Sequence, residues 1–186
     1  MISPIRITPP ISQPIDLHEA REQCRVTHFE HDILLQSHID AATEYLDGWN
    51  GILGRCMISQ VWRQRFHGWA SCLVLPMPGV TDVALHYLRP DLSEGTVDPS
   101  NYETVVNGYA TTIYLDSAFV HPVLSGRMFP VWVDFTAGYG PAPENVPAPL
   151  RAAIRMHVQA MYDGMPENEW RRAYDALVAP FRLGVA

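Results

Sequence analysis

The stretch from Val131 to Asp163 leaves this chain few architectures, because it spells strand, glycine exit, stiff loop and amphipathic helix in direct succession. Val131, Val133 and Phe135 alternate with Trp132 and Asp134, the two-residue period of a strand with two different faces. Gly138 and Gly140 flank Tyr139 and stop the strand, since glycine takes the positive φ angles that a tight exit needs. Pro141, Pro143, Pro147 and Pro149 then discourage regular structure, and Pro149 suits a first helical turn, where its missing N–H is no loss. Leu150, Ile154, Val158 and Met161 follow at spacings of four, four and three, a single apolar stripe. Gly164 and Pro166 close that helix. A buried strand is thus tied to a buried helix, an arrangement that reads as scaffold.

The flanks fill in the rest. Met1 to Pro14 carries four prolines and isolated isoleucines, so it is expected to be an extended arm, either disordered or laid on its own body or a neighbouring subunit. Asp16 caps a first helix from Leu17 to about Arg25, with Glu19 completing a capping-box pattern. A second helix is predicted from Asp32 to Gly48, its stripe made by Leu35, Ile39, Ala42 and Leu46. From Cys56 the period changes to two: Ile58 to Phe66, Leu73 to Leu75, Val83 to Tyr87, Tyr102 to Val106, Thr111 to Leu115 and Val131 to Phe135 read as strands. Asn107-Gly108 marks a hairpin, while Arg89 to Ser100 lacks apolar rhythm and reads as a turn-rich loop. Trp170, Tyr174 and Leu177 mark a last helix. The prediction is an α+β fold: a helical bundle of two N-terminal and two C-terminal helices with an inserted antiparallel β-rich module. Its parts are an arm (1–14), N-terminal helices (15–55), the β module (56–136) and C-terminal helices with a tail (137–186), residues 15–186 forming one structural domain.

With 186 residues the chain can bury roughly 70% of its unfolded surface without staples. No apolar run approaches the ~20 residues of a membrane helix, and the first residues lack the pattern of a secretion signal. Three cysteines (Cys24, Cys56, Cys72) with no C-x-x-C pair predict reduced thiols in a cytosol-like compartment. The formal net charge is −7 and every cation is an arginine, so the chain has no electrostatic footprint for tight binding to nucleic acid.

No constellation of catalytic residues emerges. Cys24, His28, His31 and His38 are the best metal candidates, Cys24 and His28 being one helical turn apart, but they straddle a helix end and read as surface histidines beside a buried thiol. Gly138-Tyr139-Gly140 lacks the third glycine of a dinucleotide loop and is followed by prolines that cannot donate to phosphate. Ser59, Ser71 and Ser125 lack a nucleophile-elbow setting. Asp91, Glu94 and Asp98 do not have calcium-loop spacing and read as a solvated acidic turn. Trp62, Trp69, Trp132 and Tyr139 suit core or subunit-interface packing better than base stacking. The prediction is no catalytic residue, no cofactor and no metal. A small zinc-dependent enzyme and a nucleic-acid-binding module stand as alternatives.

Four segments, in order, carry a resemblance. They are Pro14-Ile15-Asp16-Leu17-His18-Glu19-Ala20 with the helix ending Ala41-Ala42-Thr43-Glu44-Tyr45-Leu46; Gly54-Arg55-Cys56-Met57-Ile58-Ser59-Gln60-Val61-Trp62; Leu75-Pro76-Met77-Pro78-Gly79-Val80; and Phe135-Thr136-Ala137-Gly138-Tyr139-Gly140 with Val146-Pro147-Ala148-Pro149-Leu150-Arg151. Together, over Pro14 to Arg182, they resemble the head–tail connector (adaptor) proteins of tailed phages and prophages. The arm before Pro14 and the acidic loop around Pro90 to Ser100 depart from that pattern. The resemblance implies a structural protein of the virion, assembled in the host cytoplasm, with no reaction to catalyse. Its implied partners are the portal protein ring, neighbouring copies of itself in a ring that is commonly a dodecamer, and a downstream tail or stopper protein. DNA would pass through the channel without specific binding, and no membrane is involved. Phe181 and Arg182 are the implied portal contact, and Trp62, Trp132 and Tyr139 are candidates for the subunit interface.

Overall fold

The computed structural model describes residues 2–106 and 108–183. Four helices and two antiparallel sheets give an α+β fold. The chain divides into two compact units, Met1–Pro10 with Ser59–Gly138, and Ile11–Ile58 with Tyr139–Ala186.

The first unit holds all the strands. β1 (Ile5–Thr8), β2 (Gln60–Phe66), β8 (Val131–Ala137), β4 (Val80–Leu88) and β5 (Glu94–Thr96) form a five-stranded sheet in that spatial order. β3 (Cys72–Leu75), β7 (Thr111–Leu115) and β6 (Tyr102–Val106) form a three-stranded one. β8 lies at the centre of the larger sheet, where Phe135 faces Trp62 on β2 and Val83 on β4. Its alternation puts Val131, Val133, Phe135 and Ala137 on one face, all buried. The same register carries Gln60 and Gln64 of β2 onto that face, and both are buried. Gln64 is accommodated because its amide donates to the carbonyls of Ile2 and Arg65, at 2.9 and 3.0 Å.

One sequence expectation changes here, and one left open is decided. The loop from Arg89 to Ser100 contains β5, which pairs with β4 through His86↔Thr96, Tyr87↔Gly95 and Leu88↔Glu94. A three-residue strand is held by its backbone ladder and has no room for an apolar period, so periodicity cannot find it. Within the proline-rich arm, Ile5–Thr8 forms β1 on the edge of β2, with all four residues exposed. Its isoleucines pack against little; the main-chain pairing holds it. The hairpin of β6 and β7 closes at Val106↔Thr111; Asn107, half of its expected turn signal, lies outside the described residues.

The second unit is helical. α1 (Leu17–Cys24) opens with the capping box: the Glu19 N–H donates to Asp16 Oδ1 at 2.8 Å and the Asp16 N–H to Glu19 Oε2 at 3.1 Å. α2 (Asp32–Leu46) buries the expected stripe of Leu35, Ile39, Ala42 and Leu46. α3 (Ala148–Asp163) buries Leu150, Ala153, Ile154 and Val158, and is the helix against which α1, α2 and α4 (Glu167–Val178) all pack. Gly164 ends α3 with φ 64°, a left-handed conformation that favours glycine. α4 contributes Tyr174 and Val178 to the same core.

Candidate functional site

The groups considered for metal or acid–base chemistry do not converge. The His28 and His31 rings meet edge to face, 4.6 Å between centroids, and His31 Nδ1 lies 2.6 Å from the Tyr162 hydroxyl. Burial, with the charge of Asp163 adding to it, pushes the Cys24 thiol up to about 11, away from the thiolate a metal would need. Among the described residues, no three His, Cys, Asp or Glu side chains are placed to hold an ion. In the acidic loop, Asp91 accepts from the hydroxyl and N–H of Ser93 (2.7 and 3.0 Å), and Asp98 from the N–H and hydroxyl of Ser100 (2.9 and 2.7 Å). Those hydrogen bonds lower both carboxyls and commit one oxygen of each to shaping the turn.

The five residues singled out for assembly have different fates. Trp62 and Trp132 are 6% and 7% exposed, so both rings are largely consumed by packing within their own unit, and little of either is left to present to a neighbour. They lie on opposite faces of the large sheet. Tyr139 is half-buried against the helical core, and its hydroxyl accepts from Arg55 Nη1 at 3.1 Å. Phe181 is also half-buried against that core. Arg182 is exposed and pairs with Asp175 at 3.0 Å, and the next N–H, of Leu183, donates to Leu53 O at 3.1 Å. The end of the described chain is therefore pinned to the helical unit, with Arg182 presented outward.

The face of the large sheet opposite its buried valines carries a polar cluster. Arg63 on β2 grips Asp134 on β8 with two parallel bonds of 2.7 and 2.8 Å, which hold the guanidinium more firmly protonated. The Arg63 guanidinium sits 5.3 Å above the Trp132 ring, and His86 on β4 stacks on that ring at 5.5 Å. His86 Nδ1 reaches Thr96 Oγ1 of β5 at 3.0 Å. Each member is spoken for by a neighbour on the same face, which makes the cluster a brace across four strands.

What remains available is strand edge and apolar side chain. β6 is exposed along Glu103, Thr104, Val105 and Val106, although Thr104 and Val106 stand opposite the buried Ile113 and Thr111 of β7. The strand overhangs its own core. Tyr109 and Tyr114 are exposed beside it, at 70% and 48%. Ile5 and Ile7 of β1 are exposed as well. Sequence reasoning placed Glu103 to Val106 and Tyr114 in strands and Ile5 and Ile7 in an extended arm, but only the structure reveals how exposed they stand.

No protein-family model matches the chain, and no curated protein matches it. Solved structures do. A chain in the neck of the empty GTA particle computed with C6 symmetry superposes with a TM-score of 0.79 at 21% identity, covering 100% of this chain and 97% of the other. A chain in the virion of the native gene transfer agent (GTA) particle gives 0.77 at 22% identity over the same shares. A chain in the neck of the native GTA particle computed with C12 symmetry gives 0.76 at 21% identity, again over 100% and 97%. This chain has the fold of a gene transfer agent neck chain. At this identity the likeness is one of fold, and the neck fold extends over helices, sheets, arm and acidic loop alike. The arm and the loop around Pro90 to Ser100, where the connector resemblance lapsed in sequence, lie within that match.

Proposed function

We propose that this protein is a structural connector of a phage-like particle, built into a ring at the head–tail junction, where it continues the DNA channel from the portal and receives the next tail component. The observation that carries this reading is the full-length match to chains of GTA necks, whose structures were computed with six-fold and twelve-fold symmetry. A subunit of such a ring meets its neighbours head to tail, through two different patches whose rotation closes. An acidic chain suits the wall of a channel through which DNA slides, because a basic wall would retain phosphates. Phe181 and Arg182, at the end of the described chain, are the proposed portal contact. Tyr139 is proposed to add to the subunit interface through its exposed part, and Trp62 and Trp132 only through their thin exposed edges.

The test is assembly. Purified protein is mixed with the portal ring of the same particle and examined by native mass spectrometry and electron microscopy. Many copies seated as one closed ring on the portal are expected. A chain that stays monomeric at every concentration, with and without portal, overturns the reading.

A further inference from the structure

Resting on the ring reading above, we propose that β6 of one copy is completed by β1 of the next, an intersubunit strand pairing with Glu103 set beside Arg6. The two sheets end in four edge strands: β1 and β5 on the larger, β3 and β6 on the smaller. β6 is the least guarded. It has five residues in unbroken register with β7, no proline and one charge, and Val105 and Val106 are 42% and 53% exposed. A flat apolar edge of this kind pairs with whatever strand fits it, and natural proteins blunt it or cover it.

Charge selects the cover. The edge of β5 carries Glu94, which would repel Glu103, and that of β3 (Cys72 to Leu75) carries no charge. β1 offers Arg6 between Ile5 and Ile7, all exposed; with Arg6 opposite Glu103 in an antiparallel register, Ile5 and Ile7 stand opposite Thr104 and Tyr102, and Ile5 lies diagonal to Val106 on the same face. Pro4 and Pro9 bracket β1, and its register with β2 shifts between Arg6 and Thr8. Those features limit the added ladder to a few bonds and stop the edge from recruiting strands indiscriminately. Because β1 and β6 are different strands, each copy gives one edge and receives another, the head-to-tail pattern that closes a ring.

Charge reversal tests the pairing. Glu103→Arg and Arg6→Glu alter exposed side chains, so each variant should unfold at the wild-type temperature while ring yield on the portal falls by about ten-fold or more. The double variant should recover ring yield. The chain has no lysine, so Arg6→Lys introduces its first side-chain amine, and carbodiimide treatment of assembled rings should join that amine to Glu103 of the adjacent copy. Wild-type rings forming while both single variants assemble normally, or the double variant failing to recover, or cross-links going elsewhere, overturn this strand pairing and leave the connector reading intact. Failure of the wild-type protein to form a ring overturns both.

Discussion

Glu19 and Arg151 bind the start of α1 to the start of α3: Arg151 Nη2 donates to Glu19 Oε1 at 2.7 Å, and Arg155 Nη1 reaches the same oxygen at 3.0 Å. The other oxygen of Glu19 takes the Asp16 N–H of the capping box. One carboxylate thus ends a helix and cross-braces the bundle. It also offsets two arginines near the N-terminal half of α3, where the helix dipole disfavours cations. Glu19→Ala is expected to destabilise the protein by about 1–2 kcal/mol, since the reciprocal half of the capping box is lost, the Asp16 cap itself remaining, and Arg151 and Arg155 lose their shared carboxylate. Arg155→Ala should cost less, because Arg151 keeps the contact. Thermal unfolding of the two variants checks the order.

Tyr87 lies across Gly95 so closely that a Cβ on the glycine would clash with the phenol ring. Gly95→Ala must displace that ring and is expected to cost about 1–3 kcal/mol. In a Tyr87→Ala background the same change should cost far less. A double-mutant cycle by denaturant unfolding reads the difference, and additive effects would exclude the close contact as the cause.

His157 is half-buried on α3, stacked on Trp170 at 5.0 Å and edge-on to Tyr45 and Tyr174. Burial lowers its affinity for a proton below the ordinary 6.5, and the charges of Arg171 and His38 lower it further. Below that ordinary value the unfolded chain takes up a proton that the folded chain refuses, so this contribution to stability is intact above about pH 6.5 and is lost as the pH falls through the depressed folded value. The urea midpoint should drop between pH 7.5 and pH 5, and His157→Phe should flatten part of that slope.

The three thiols should separate by accessibility. Cys72 is exposed, Cys24 half-buried and Cys56 buried. A maleimide at pH 7 is expected to label Cys72 first. Cys24 should lag, because a thiol raised to about 11 holds almost no thiolate at that pH. Mass spectrometry of peptides after timed labelling settles the order, and rapid labelling of Cys56 would contradict its burial.

Much of the fold was legible because its signals are local. The stripe of α2, the cap at Asp16 and Glu19, the alternation of β8 and the glycine stop at Gly164 each need only a few neighbouring residues to declare themselves. The candidate site was less legible. Trp62 and Trp132 read as core or subunit-interface aromatics, and the structure buries most of both within their own unit. β5 escaped notice because its three residues owe their conformation to β4.

By itself the sequence determined the class of fold, the order of nearly all its elements and the faces that α2 and α3 bury, because periodicity and capping are written in residues a few places apart. The tertiary structure alone decided which strands became sheet edges, that Glu19 would serve both a cap and two arginines of a distant helix, and that β6 would overhang its core. Those outcomes depend on which strand or helix comes to lie alongside, and that choice is made by packing between residues far apart in the chain.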